Sequence, residues 1–89
     1  MDQQHVALKQ DRLAIREIDE RAVILDLETS RYLQVNETGT LLLRLLQDGS
    51  SHQGLVEALQ AGFDVSQEQA VGDVDAFLSS LAELDLIEG

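Results

Sequence analysis

The segment "LDLETSRYLQVNETGTLLLRLLQDG", residues 25–49, changes its hydrophobic period partway along. In "RYLQV" (31–35) Leu33 and Val35 fall on one side and Tyr32 and Gln34 on the other, the period of a strand. Asn36 follows at once as a helix N-cap, with Glu37 placed to meet the positive end of the helix dipole. Leu41, Leu42, Leu45 and Leu46 then form a one-sided helical stripe that Asp48-Gly49 stops. A strand therefore runs into a helix with no linker. Upstream, "ETSR" (28–31) reads as a turn and "AVILDL" (22–27) as an apolar strand, its Leu25–Leu27 arm on the inside of the sheet. Before that, "LAIREI" carries Leu13 and Ile15 on one side and "DERA" supplies another turn. Three short strands joined by turns of about four residues predict an antiparallel meander. Residues 1–12 are polar, with weak alternation at Val6 and Leu8, and are expected to form an N-terminal arm or short edge strand.

Downstream, Ser50-x-x-Gln53 has the form of a capping box for a second helix, with Leu55, Val56, Leu59 and Phe63 apolar. Ser66-x-x-Gln69 repeats the device for a third helix. Its apolar positions are Ala70, Val71, Val74, Phe77, Leu78, Leu81 and Leu84, a band about 140° wide at 100° per residue, with Ile87 a further candidate beyond it. The expected fold class is α+β, a three-stranded antiparallel sheet followed by three helices in winged helix-turn-helix order. Residues 13–89 are expected to make one domain.

Composition narrows the function. Seventeen acids against six bases give a net charge of −11, which disfavours a polyanionic partner because duplex binding needs a basic face. The second-helix segment "SHQGLVEALQAGF" carries no Lys or Arg, so a DNA-binding regulator is the weakest of the readings that the fold order allows. There is no Cys, which excludes disulfides, thiolate catalysis and zinc–thiolate sites. "MDQQHVALKQ" has no apolar signal core and no window approaches a membrane span of about 18 residues. A cytoplasmic protein without membrane association is expected. His5 and His52 read as surface residues, and "GDVDAF" (72–77) lacks the glycine and terminal Glu of a calcium loop, leaving Asp73 and Asp75 as solvated acids. With no nucleophile elbow and no phosphate loop, the expectation is no catalytic residue, no metal and no cofactor.

Two features remain. An outer strand at Arg31–Val35 presents unpaired backbone groups, and it has neither Pro nor an inward charge to blunt it. The third helix carries more apolar surface than a core contact uses. One arrangement makes the band wholly core, with the strand edge covered by the N-terminal arm. The other sets a shoulder of the helix beside the open strand, forming a groove suited to β-augmentation.

Together, "LDLETSRYLQVNETG", the "LLQDG" helix stop and "DVDAFLSSLAELDLI" resemble the PqqD-like family of leader-peptide recognition domains. The resemblance covers about residues 13–88. Within the family, the Arg-Tyr-Leu-Gln-Val-Asn-x-Thr-Gly run is most similar to the stand-alone domains of lasso peptide biosynthesis, with the quinone-cofactor member the alternative. Ser30 stands where Gly commonly closes the turn, and Leu33 where a larger aromatic is common. The resemblance implies a non-catalytic protein that binds the leader of a ribosomally made precursor peptide. The leader would pair antiparallel with the third strand, against the third helix. Delivery would follow, first to a leader peptidase of cysteine protease type and then to an ATP-dependent macrolactam cyclase. Carried onto this chain, Tyr32, Leu33, Gln34 and Val35 supply the strand edge, and Val71, Val74, Asp75 and Leu78 the helix wall. The Val71/Leu78 shoulder is preferred, with Phe77 and Leu84 as the alternative.

Overall fold

A computed structural model describes residues 5–88 of the chain. Its strands and helices are β1 (His5–Leu8), β2 (Leu13–Ile18), β3 (Arg21–Asp26), β4 (Tyr32–Val35), α1 (Glu37–Asp48), β5 (Ser50–Ser51), α2 (His52–Gly62), α3 (Gln67–Glu83) and β6 (Ile87–Glu88). The meander forms as expected, in the order β2-β3-β4, and the three helices follow it. Residues 1–4 and Gly89 of the expected arm and domain, and the side chain of His5, lie outside the described residues.

The β2–β3 turn is tighter than its sequence suggests. Ile18 pairs with Arg21, so only Asp19 and Glu20 make the turn, both at positive φ (51° and 66°). Such paired left-handed residues match the twist of the strands they join. At the next turn Ser30, in the place of a glycine, adopts the same left-handed region at φ 63°. The inner face of the sheet is Ala22 and Ile24 on β3 with Leu33 and Val35 on β4. β3 is the central strand, but strict alternation turns Leu25 and Leu27 outward, at 37% and 58% exposure. In their place Asp26 is buried, an exchange that the apolar run conceals.

Helix ends follow the capping residues. Asn36 accepts from the Gly39 N–H at 2.9 Å, and Ser66 accepts from the Gln69 N–H at 3.1 Å. The second cap is Ser51, accepting from Gly54 at 3.0 Å, one residue beyond the expected Ser50. Ser50 is drawn instead into β5, where it pairs with Val6 of β1. On α1 the buried leucines are Leu42, Leu43 and Leu46, with Leu41 and Leu45 half-buried. The stripe is rotated one position from the expected one because Thr40 goes inside, its hydroxyl donating to the Asn36 carbonyl at 2.8 Å. α3 ends before Ile87. Leu86 donates to the Leu81 carbonyl and Asp85 to the Ala82 carbonyl, with Asp85 left-handed at φ 59°. This is a Schellman closure with Asp in the usual glycine place.

The arm has a structural role. β1 lies between β5 and β6, pairing antiparallel with each, in a second small sheet. Leu8 enters the common core with Leu55, Leu59, Val74, Leu81 and Leu86. Beyond Leu8, Lys9 and Arg12 reach Asp85 at 2.7 and 3.4 Å, and Arg12 reaches Asp26 at 3.0 Å. The cluster ties the start of the meander to the C-terminal turn. Burial alone would raise the Asp26 carboxyl. The Glu28 N–H, the Arg12 guanidinium and the Thr29 hydroxyl outweigh it and hold that carboxyl below its ordinary value. The hydrogen bond and charge of Lys9 hold Asp85 low in the same way. No described helix is long and apolar enough to cross a membrane.

Both carboxyls are depressed on folding, so the stabilisation they provide is fully present above the ordinary Asp value. It is lost as pH falls through the lower folded values. The melting temperature is therefore expected to stay level above the ordinary Asp range and to drop as pH falls below it. Asp26→Asn should lower the melting temperature at neutral pH and flatten the acid limb. An unchanged acid limb in thermal scans of that variant would remove Asp26 from the cluster's role.

Candidate functional site: the groove between β4 and α3

β4 is an edge strand. β3 occupies one side of it, and among the described residues no strand pairs with the other. The described strand of the arm, β1, pairs with β5 and β6 and not with this edge. Beside the open edge runs α3, and the space between them is a groove in two connected parts. One, of about 320 Å³, is lined by Leu33, Gln34, Val35 and Gly39 against Asp73, Ala76, Phe77 and Ser80. The second, of about 510 Å³, continues past Arg31, Tyr32 and Leu33 against Ser80, Glu83 and Leu84. Leu33 and Ser80 belong to both.

The four expected strand residues border this groove and alternate as the sequence implied. Tyr32 and Gln34 are exposed, Leu33 is half-buried, and Val35 is buried in the core. The four expected helix residues do not border it. Val74 is fully buried. Asp75 points to the start of α2, its Oδ1 2.7 Å from His52 Nε2. Val71 and Leu78 lie within about 60° of Asp75 on the helical wheel and therefore share its α2 side. The helix wall facing β4 is the other shoulder, Phe77 and Leu84, with Asp73, Ala76 and Ser80. Periodicity gives both shoulders but not their neighbours. The signal that picks between them is His52, a hydrogen-bonding residue at the start of α2 able to reach an acid on α3.

Gly39 sets how closely the elements meet. A Cβ there would lie 2.5 Å from Val35 Cγ1 and 3.3 Å from Phe77 Cε1. The first turn of α1 thus packs against the end of β4 and against Phe77 with no room for a methyl. The ends of the groove carry charge, with Arg31 and Glu83 lining one and Asp73 the other. Among the described residues no cluster of His, Asp and Glu could hold a metal ion.

Gly39→Ala is expected to destabilise. Helix propensity favours Ala by up to about 1 kcal/mol, but forcing a methyl against stiff, β-branched Val35 costs about 1–3 kcal/mol. Denaturant titration should show a net loss. A stabilised variant would mean that Val35 can step aside and that the contact does not set the groove.

The chain is similar to solved structures and to a known family. A structure described as TbiB1 in complex with the TbiA(beta) leader peptide matches with TM-score 0.82 and 29% identity, over 93% of this chain and 95% of that one. A lasso peptide synthetase B1 complexed with the leader peptide matches with TM-score 0.81 and 26% identity, over 97% and 100%. No curated protein matches. Residues 21–87 match the family described as coenzyme PQQ synthesis protein D (PqqD), more than half of the chain, and the protein belongs to that PqqD family.

Proposed function

We propose that this protein binds the leader segment of a ribosomally synthesised precursor peptide by adding it as a strand to β4. The observation that carries the reading is an unpaired strand edge standing beside an apolar helix shoulder with open space between them. Backbone N–H and C=O groups of Tyr32–Val35 pair with the leader and supply sequence-tolerant affinity. Alternate leader side chains fall on the α3 side, between Leu33 and the Phe77–Leu84 shoulder, and supply selectivity. Both similar structures are leader-peptide complexes, which supports this use of the fold.

In this reading the protein contributes no catalytic group. It holds the precursor in an extended form and hands it to a leader peptidase and then to a macrolactam cyclase of a lasso peptide pathway. The second reading, motivated by the family description, is a peptide carrier in quinone cofactor synthesis. Both use the same groove and differ in the peptide. Residues 13–89 act as the binding domain. The arm serves as a structural tie, because its pairing partners are β5 and β6.

The test must spare the core. Val35 and Val74 are buried, so a charge at either would report folding and not binding. Ala76 is exposed and lines the groove, whereas Ala82 is exposed about 120° away round the helix, on the side that does not line it. Titrating the TbiA(beta) leader, Ala76→Trp should weaken binding at least roughly tenfold, since a filled pocket loses its side-chain contacts. Ala82→Trp should leave binding unchanged, and both variants should keep the parent melting temperature. Amide exchange should slow at Tyr32–Val35 on binding. Equal affinities of the two variants, or no protection in β4, would refute the groove.

A further inference from the structure

The groove does not end at Val35. Gln34, Val35 and Asn36 also border an open cleft of about 660 Å³ beside the β2–β3 turn. Its floor is the outward face of the meander. By register Arg16 stands opposite Val23, and Val23 opposite Gln34, while Ile18 stands opposite Arg21 in the next row. Arg16 and Arg21 are thus diagonal neighbours on adjacent strands, about 7–8 Å apart at the backbone.

These arginines differ from most of the protein's cations. Lys9, Arg12 and Arg44 are committed to Asp85, Asp26 and Glu17. Arg16 and Arg21 are exposed, and neither side chain makes a hydrogen bond or ion pair with a described residue. In a chain of net charge −11, two of the three uncommitted cations therefore share one cleft. Asp19 is the acid in its lining, which leaves a local excess of one positive charge. Exposed Ile18 adds an apolar rim. The third free cation, Arg31, stands at the far end of the groove, where Glu83 balances it.

Direction decides what reaches the cleft. A strand that continues the all-antiparallel meander runs along β4 from Val35 towards Tyr32, so the residues preceding it emerge beside Asn36. Resting on the groove reading above, we infer that the Arg16–Arg21 cleft receives acidic side chains from the leader residues just before the paired segment. Free guanidinium forks bind carboxylates in pairs of hydrogen bonds, and the rest of the surface repels the same residues. The cleft thereby sets direction and register, which backbone pairing alone leaves loose.

The probe is the TbiA(beta) leader peptide, its paired segment located by amide exchange. Two glutamates are placed directly before that segment, or directly after it, with glutamines as controls. Long-range repulsion acts on both acidic peptides, so their ratio isolates the cleft. At about 0.1 M salt the peptide with leading glutamates should bind roughly five- to tenfold tighter than that with trailing ones. In Arg16→Gln/Arg21→Gln the ratio should fall towards one while the glutamine peptides bind as before. A ratio of one in the parent protein, or one that persists in the double variant, overturns the inference. If the unmodified leader neither binds nor protects β4, the groove reading falls by itself. The cleft is then judged by NMR titration with acetyl-Glu-Leu-Glu amide. Shifts confined to Arg16, Arg21 and Val23, and absent with acetyl-Gln-Leu-Gln amide, uphold it; equal shifts or none overturn it.

Discussion

The hydrogen bond from the Gly39 N–H to the Asn36 side chain fixes where strand ends and helix begins. Because Asn36 itself is the whole connection, the direction of α1 is locked to that of β4. Gly39 then sits one turn into the helix, against Val35 and Phe77. Through that contact a local cap determines how α3 stands relative to the free edge of β4. The close packing of Gly39 against Val35 and Phe77 thus helps set the groove at the Val35 end of β4.

At the opposite end of the meander an ion cluster does comparable work. Lys9 and Arg12 bring the end of the arm to Asp26 and Asp85. Exposed ion pairs contribute little to stability. Asp26 differs because it is buried and receives the Glu28 N–H besides the Arg12 guanidinium, so removing one partner strands a buried charge. Committing these cations and Arg44 to structure leaves, among the described residues, only Arg16, Arg21 and Arg31 free on an otherwise acidic surface. A duplex-binding role is therefore disfavoured by how the positive charge is placed as well as by how little there is.

Much of this was legible in the residues. The alternation in "RYLQV", the cap at Asn36, the stop at Gly49 and the cap at Ser66 all appear where local chemistry puts them. What was not legible depended on partners distant in sequence. Ser50 and Ser51 are equivalent caps until β1 claims Ser50 for a strand pair. Leu43 is buried because Thr40 can satisfy its hydroxyl internally, which no hydropathy pattern reveals. Within the Leu25–Leu27 arm expected inside, it is Asp26 that turns inward, and only Arg12 reaching from the arm makes that tolerable. On α3, period and width outline two shoulders, but only the placement of α2 decides which of them faces β4.

An exposed strand edge is ordinarily a hazard, since it templates pairing with any extended chain. Here β4 is four residues long and flanked on its inner side by α3, so a second flat sheet cannot approach without striking the helix. In the proposed reading a single extended chain enters the groove where a folded sheet would strike the helix. The charge of −11 adds repulsion between copies of this protein at every distance shorter than the screening length. In the proposed reading the same two features protect the edge from self-association and leave it to a flexible peptide. In that reading selectivity for an unfolded segment, more than any individual side chain, is the fold's contribution to recognition.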